Sequence, residues 1–373
     1  MYIWQQPDWP QFRWDAERLL KTLSEAHLKQ GRFLGQIQSL GFDVQLRAEL
    51  QAITEETVKS SEIEGEILNP ETVRSSVARR LGVLDAAAGP QDRRVEGMVE
   101  MLIDATKNYR DPLTRERLFR WQAGLFPGRR SDFREIRIGA WRDDAHGPMQ
   151  VVSSAAGREH VYFEAPPAAR VETEMESFLA WFNQVPKIDG IIHAAVTHLW
   201  FVTIHPFEDG NGRIARALAD MSLARSEDLS QRFYSLAAQI RIQRQEYYGS
   251  LEATQRGDLD ITPRLLWFTD CFLQAIAAAE KSCAGVLRKA NFWQKHRNAV
   301  LNARQKNVLN RYLDGFEGKL TAKKWAVLAK TSMPTAQRDI KELVDQGVLI
   351  RNEGGSKNTS YSIPEEAGYA AQG

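Results

Sequence analysis

Residues 203–216 read TIHPFEDGNGRIAR and lie between two apolar stretches, 191–202 and 214–224, whose spacing suits buried helices. A chain that breaks a buried helix with Gly-Asn-Gly and restarts it at once must place a tight loop against a helix N-terminus. Gly210 and Gly212 let the backbone come close to a ligand, and the free N–H groups of the loop and of the next helical turn form an anion nest. Phosphate is the guest this chemistry favours. Arg213 and Arg216, one turn apart, fall on the same side of the restarting helix and can grip further phosphate oxygens through charge-assisted hydrogen bonds. Asp209 is a hard oxygen ligand suited to Mg²⁺, and His205 can take a proton at neutral pH. Each residue alone is commonplace in a solvated turn or helix. Base, metal ligand, nest and two cations within twelve residues are not.

The rest of the chain supplies a mainly helical frame. Four aromatics near the start, Trp4, Trp9, Phe12 and Trp14, need a surface to lie on and predict a strap across the body. Apolar residues at helical spacing predict two helices over 16–61, then, after an Ala/Gly-rich loop at 85–90, another carrying Val95, Met98, Val99, Leu102 and Ile103. Between 137 and 163 the pattern changes to short β-prone runs, MQVVSS and HVYF, punctuated by glycine, which predicts a hairpin. Helices follow over 171–182, 191–202, 214–224, 241–255 and 263–286. Cys271 and Cys283 stand twelve apart on the last of these, too far along it to pair, and read as reduced core thiols.

Residues 304–363 read as a separate unit: three helices, the third running from near Pro334 to Gly347, then strands at 348–350 and 359–363 around the turn NEGGSKN. That is the order of a winged helix-turn-helix. The third helix buries Ala336, Ile340, Leu343 and Val344 and presents Thr335, Gln337, Arg338 and Lys341, polar types that read a major groove or hold phosphates, with Asp339, Glu342 and Asp345 diluting the basic face. Charge is divided in the same place. Residues 288–373 carry 15 basic and 8 acidic side chains, +7, and the remainder 34 and 40, −6, although the whole chain is +1. A polyanion, DNA for a winged helix, is the partner this charge split points to, with dimerisation or protein docking as the alternative uses of such a unit. No stretch approaches the eighteen apolar residues of a membrane span, and the first fifteen residues lack a signal peptide's pattern, so the expectation is a cytoplasmic protein with no membrane partner.

The loop 205–216 resembles the Fic signature, HxFx(D/E)GNGRxxR, with every fixed position filled. The resemblance, which covers roughly 50–279, implies a Fic helical core with a β-hairpin flap and transfer of AMP from ATP to a Tyr, Ser or Thr hydroxyl of a target protein. It makes His205 the base, Asp209 the holder of Mg²⁺ on the α- and β-phosphates, and Gly210, Asn211 and Gly212 the anion hole. Arg213 would meet the β-phosphate and Arg216 the γ-phosphate, with Phe207 in the core. Ser60-Ser61-Glu62-Ile63-Glu64-Gly65 fits the inhibitory motif (S/T)xxxE(G/N) that precedes the core in one Fic class; there the glutamate pairs with the second motif arginine, here Arg216, and keeps the γ-phosphate from settling. The hairpin sits where relatives carry a flap that holds the target segment by strand addition, with Val151 and Val152 as the nucleotide-facing candidates. Tyr247-Tyr248 resembles a pair that shapes the adenine pocket, which Tyr247 and Gln255 would line. The tryptophan-rich start is similar to an extension found in front of some bacterial Fic proteins.

These readings divide the chain into 1–90, a helical region with the strap and inhibitory helix; 91–287, the catalytic core; and 288–373, a linker helix and winged helix. The expected function is protein adenylylation restrained by Glu64, in a protein that forms a homodimer as many relatives do. Removal of AMP through the same site, transfer of another phosphate-containing group, and nucleotide sensing by a DNA-binding regulator are the alternatives.

Overall fold

In the computed structural model the described residues are all but 84–88, 129, 132–133, 146, 153–160, 316–317, 353–358 and 365–373. They form fourteen α-helices and seven short strands, in two compact units, Met1–Lys281 and Ser282–Gly373. The protein is mainly helical, as the sequence predicts.

The first unit opens with a 3-10 turn, Ile3–Gln5, followed by α1 (Ala16–Gln38), α2 (Phe42–Ile63), α3 (Pro70–Leu81), α4 (Arg93–Lys107) and α5 (Arg115–Leu125). Two small antiparallel pairs come next, β1 (Arg130–Ser131) with β2 (Arg134–Glu135), and β3 (Gln150–Val152) with β4 (Val161–Glu164). Then follow α6 (Ala168–Phe182), α7 (Gly190–Ile204), α8 (Asn211–Glu227), α9 (Leu236–Ile242), α10 (Arg244–Gln255) and α11 (Thr262–Lys295), whose residues beyond Lys281 belong to the second unit.

Helix α7 is the axis of this unit, because it is apolar all round and every residue from Ile191 to Ile204 is buried. Asp189 caps its start, accepting from the N–H groups of Ile191 and Ile192. Helix α8 lies along α7, and α2 packs against α3, α4, α8 and α9. Helices α4 and α5 approach so closely that a Cβ on Gly97 would fall 1.9 Å from the Gly124 carbonyl oxygen, and glycine is the residue that permits this. Three helices beyond the expected set appear here. Helix α3 is set by Asn69 as cap and Pro70 in its first turn; α5 by Thr114 as cap; and α9 by Ser235, so that the expected helix over 241–255 starts only at Arg244.

The aromatic strap lies on the body. Trp4 donates its indole N–H to the Glu164 carbonyl (2.7 Å), Trp9 donates to Glu174 (2.8 Å), and Trp9 and Phe12 meet Trp200 of α7 edge to face. Arg13 exchanges backbone hydrogen bonds with Leu259 and Ile261.

In the second unit, α12 (Ala303–Leu313), α13 (Ala322–Ala329) and α14 (Met333–Asp345) pack around Trp325, Leu309, Ile340 and Leu343. Strands β5 (Leu320–Thr321), β6 (Ile350–Arg351) and β7 (Ser360–Ser362) form an antiparallel sheet ordered β5-β7-β6; the first of them, two residues long, carries no periodicity to announce it. Asp339 is not on the exposed face with the other acids. It is 2% exposed, and its carboxylate accepts from Arg304, Asn302 and the Trp325 indole, which ties α12 and α13 to α14. Among the described residues no helix is long and apolar enough to cross a membrane.

Candidate active site

The site starts where α7 stops. His205 caps the helix in a left-handed conformation (φ 52°, ψ 59°), rare for a residue with a Cβ, and its N–H still bonds the Phe201 carbonyl (3.0 Å). Its Nδ1 lies 3.1 Å from the Val202 carbonyl oxygen. A carbonyl only accepts, so the neutral ring carries its proton on Nδ1 and keeps Nε2 as a base. Burial depresses the pKa of His205 below the usual histidine range, and the charge of Arg142 adds to this, while the Val202 carbonyl, Asp209 and Glu64 act the other way.

The loop is held by its own asparagine. The Asn211 side chain accepts from the Phe207 N–H (3.0 Å) and donates to the Phe207 carbonyl (2.8 Å), so it shapes the loop and leaves the backbone to supply the nest. Gly210 sits at φ 90°, a conformation that favours glycine, as the N-cap of α8. Asp209 accepts from the Gly210 N–H and keeps a partly exposed carboxylate at the mouth, 3.8 Å from Arg213.

The two loop arginines are buried, and each faces a carboxylate from the chain that follows α2. Arg216 donates to the Ser60 hydroxyl and carbonyl, both at 2.8 Å, and its Nη1 is 2.8 Å from Glu64 Oε1. That last contact is an ion pair without hydrogen-bond alignment, so Nη1 remains a buried N–H with no hydrogen-bond partner. Arg213 pairs with Glu66 (2.8 Å), lies over the Phe126 ring, and likewise has a buried Nε without a hydrogen bond. Glu64 occupies the cradle itself: a Cβ on Gly212 would fall 2.1 Å from its Oε1. Gly65, at φ 89°, turns the chain between the two glutamates. The end of α2 is held by Arg244 and Tyr248, which both donate to the Ile63 carbonyl.

The pocket candidates behave differently from one another. Tyr247 and Gln255 are buried and bonded inward, Tyr247 to His198 (3.2 Å) and Gln255 to Thr203 (3.2 Å), whereas Tyr248 is 37% exposed. Val151 packs on the Trp4–Phe163 cluster and Val152 is exposed, as alternation along a strand requires; the turn of that hairpin lies outside the described residues. Sequence reasoning did not find Glu66, Trp141 or Arg142. Glu66 has a signal in hindsight, a second acid just beyond the glycine turn. Arg142 has none, because apart from Asp144 its partners are backbone carbonyls of residues far along the chain.

Two segments match known families. Residues 112–223 match the Fic/DOC family, and residues 2–83 match a domain of unknown function, DUF4172. The chain thus carries a Fic/DOC segment over less than a third of its length. Among curated Fic relatives, protein adenylyltransferase fic-1 of Caenorhabditis elegans is 36% identical over 91 residues, 24% of this chain and 17% of that protein. The probable protein adenylyltransferase aq_aa38 of Aquifex aeolicus is 27% identical over 103 residues, 28% of this chain and 30% of that one. The matches thus span less than a third of either relative. Among solved Fic structures, a Fic family protein from Desulfovibrio desulfuricans G20 superposes with a TM-score of 0.54 at 19% identity, covering 93% of this chain and 95% of that one. A Fic domain containing signaling protein from Bacteroides thetaiotaomicron gives 0.51 at 17% identity, covering 72% and 98%. At these identities the likeness concerns the fold.

Proposed function

We propose that this Fic protein is a protein adenylyltransferase that moves AMP from ATP to a hydroxyl side chain of a target protein and is restrained by Glu64. The observation that carries the reading is the placement of the Glu64 carboxylate in the Gly212 cradle against Arg216, where an anion is wanted and a phosphate would otherwise lie. The names of the curated relatives support the same activity.

In this reading the backbone N–H groups of Gly210, Asn211 and Gly212 hold the phosphates, Arg213 takes the β-phosphate and Arg216 the γ-phosphate. Their unbonded buried N–H groups fit such a guest. Asp209 would hold Mg²⁺ borne by the phosphates. Among the described residues no group of three or more His, Cys, Asp or Glu side chains forms a cage of its own, and a single half-exposed carboxylate fits an ion that arrives with its phosphates and neutralises their charge. His205 Nε2 removes the target hydroxyl proton as its oxygen forms a bond to the α-phosphorus, the bond to the bridging oxygen breaks, and pyrophosphate leaves. Tyr247 and Gln255 support the base-binding wall from behind, and Val151 and Val152 belong to the flap that lays the target strand across the site. The partner is a protein bearing Tyr, Ser or Thr, the compartment the cytoplasm and the assembly a homodimer.

The C-terminal unit reads as a winged helix that binds DNA through Thr335, Gln337, Arg338 and Lys341. Its supporting observation is the withdrawal of Asp339 into the core, which leaves the exposed face of α14 more basic than its composition.

Labelling with ATP radioactive at the α-phosphate, with Mg²⁺ and with wild type, Glu64→Gly and Glu64→Gly/His205→Ala, tests the enzyme reading. Label that rises in the first variant and vanishes in the second supports it. ATP binding without label in any of them overturns it in favour of AMP removal or nucleotide sensing.

A further inference from the structure

We propose that Arg142 is a positioning residue for His205, a role that rests on the reading of His205 as the base. The last carbonyls of a helix have no partner within it, and α7 ends without the glycine that usually turns such a terminus. Arg142 supplies the missing donors. Its Nε donates to the His205 carbonyl (2.7 Å), its Nη2 reaches the Ile204 carbonyl (3.5 Å) and bonds the Pro166 carbonyl, and its own backbone N–H donates to the Pro206 carbonyl (2.9 Å). The side chain is wholly buried, and Nη1 is held by Asp144 (3.2 Å), whose other oxygen accepts from the Ala168 N–H at the start of α6 (2.8 Å).

The neighbouring residue grips the same loop from the side. Trp141 packs on Phe207 at 5.1 Å between ring centroids and on Phe119 at 4.6 Å. Together they clamp the chain on both sides of His205, whose left-handed backbone would relax toward the ordinary region without an external hold. In that backbone Nδ1 meets the Val202 carbonyl, which leaves Nε2 as the base. A guanidinium is required because its planar fork serves several carbonyls at once, which an ammonium on a flexible stem does not. Arg142 has no hydrogen bond with Gly210, Gly212, Arg213 or Arg216, so nucleotide binding is separable from it.

The test uses the full chain carrying Glu64→Gly, alone and with Arg142→Lys or Arg142→Gln. Three quantities are read: Mg-ATP affinity by calorimetry, AMP transfer at saturating ATP, and the His205 ring tautomer by nitrogen-15 NMR, its signal identified by loss in His205→Ala. The expected result is unchanged affinity, transfer reduced by about 10- to 100-fold in either variant, and loss of the pure Nδ1–H tautomer. Retention of that tautomer, or a loss of affinity parallel to the loss of rate, overturns the proposal. So does failure of both variants to fold, which would make Arg142 structural only. If Glu64→Gly itself transfers no AMP, the adenylylation reading fails while the tautomer still decides the role of Arg142.

Discussion

Glu64 and Glu66 leave the end of α2 on either side of Gly65, and each takes one of the two arginines of the loop. Their removal has different expected effects. Arg216 is fully buried, so Glu64→Gly takes away its direct ion pair and lowers thermal stability by about 1–3 kcal/mol in the absence of nucleotide. In the proposed reading a triphosphate would replace that carboxylate, and scanning calorimetry should show ATP raising Tm more in Glu64→Gly than in wild type. The Glu66–Arg213 pair is partly exposed, 25% at the Glu66 side chain, so Glu66→Gln added to Glu64→Gly should raise AMP transfer by a further ~2- to 5-fold, the scale of a partly exposed ion pair. A fall in transfer would show that Glu66 orients Arg213 for the nucleotide. His205→Ala should abolish transfer and spare ATP binding. Because His205 is held below the usual 6.5, with Arg142, Asp209 and Glu64 as the charged groups that face it, the acidic limb of kcat/KM against pH should lie below that value. A limb above 6.5 would contradict the environment described.

At the scale of elements, α2 is both a core helix and the carrier of Glu64, and its seat contains a buried acid. Glu56 accepts from the Ser235 hydroxyl (2.8 Å) and the Ala237 N–H (2.9 Å), its other oxygen has no hydrogen bond, and burial with Asp220 nearby pushes its pKa up to about 8. A raised folded value means stability that is full below the unfolded value of 4.5 and is lost as pH rises through about 8. Glu56→Gln should therefore remove part of the decline of urea-unfolding stability between about pH 5 and 9; an unaltered pH slope would show that Glu56 is ionised and compensated in the fold. The same scale separates what was legible in the chain from what was not. Helix α7 was plain because apolar residues fill every face, and α8 because it restarts straight after a glycine loop. Helices α3 and α5 were missed because arginines and other polar residues interrupt their apolar spacing. The break between α9 and α10 was missed because Arg241 to Gln255 keeps helical spacing across it.

For the whole molecule, the two units have separate cores, and Trp325 is the largest fully buried side chain in the second. Trp325→Ala should cost that unit about 3–5 kcal/mol, while Mg-ATP binding by the first unit stays unchanged in calorimetry. What the sequence by itself determined is the clustering of residues 205–216 on one loop and one helical turn. Histidine, glycines, carboxylate and arginines are neighbours in the chain, and one loop with one helical turn brings them together whatever surrounds them. The helical class and the order of elements in the second unit were legible for a related reason, since apolar periodicity is a local signal. Only the tertiary structure decided which groups meet that loop from elsewhere. Ser60 reaches Arg216 across 156 residues and Arg142 reaches His205 across 63, contacts that depend on which helix faces were buried against one another. It also decided that Tyr247 turns inward while Tyr248 stays open, and that Asp339 is core and not surface. Burial is a property of the packed chain, and a polar residue's type does not reveal whether its partner is water, a carbonyl or a phosphate.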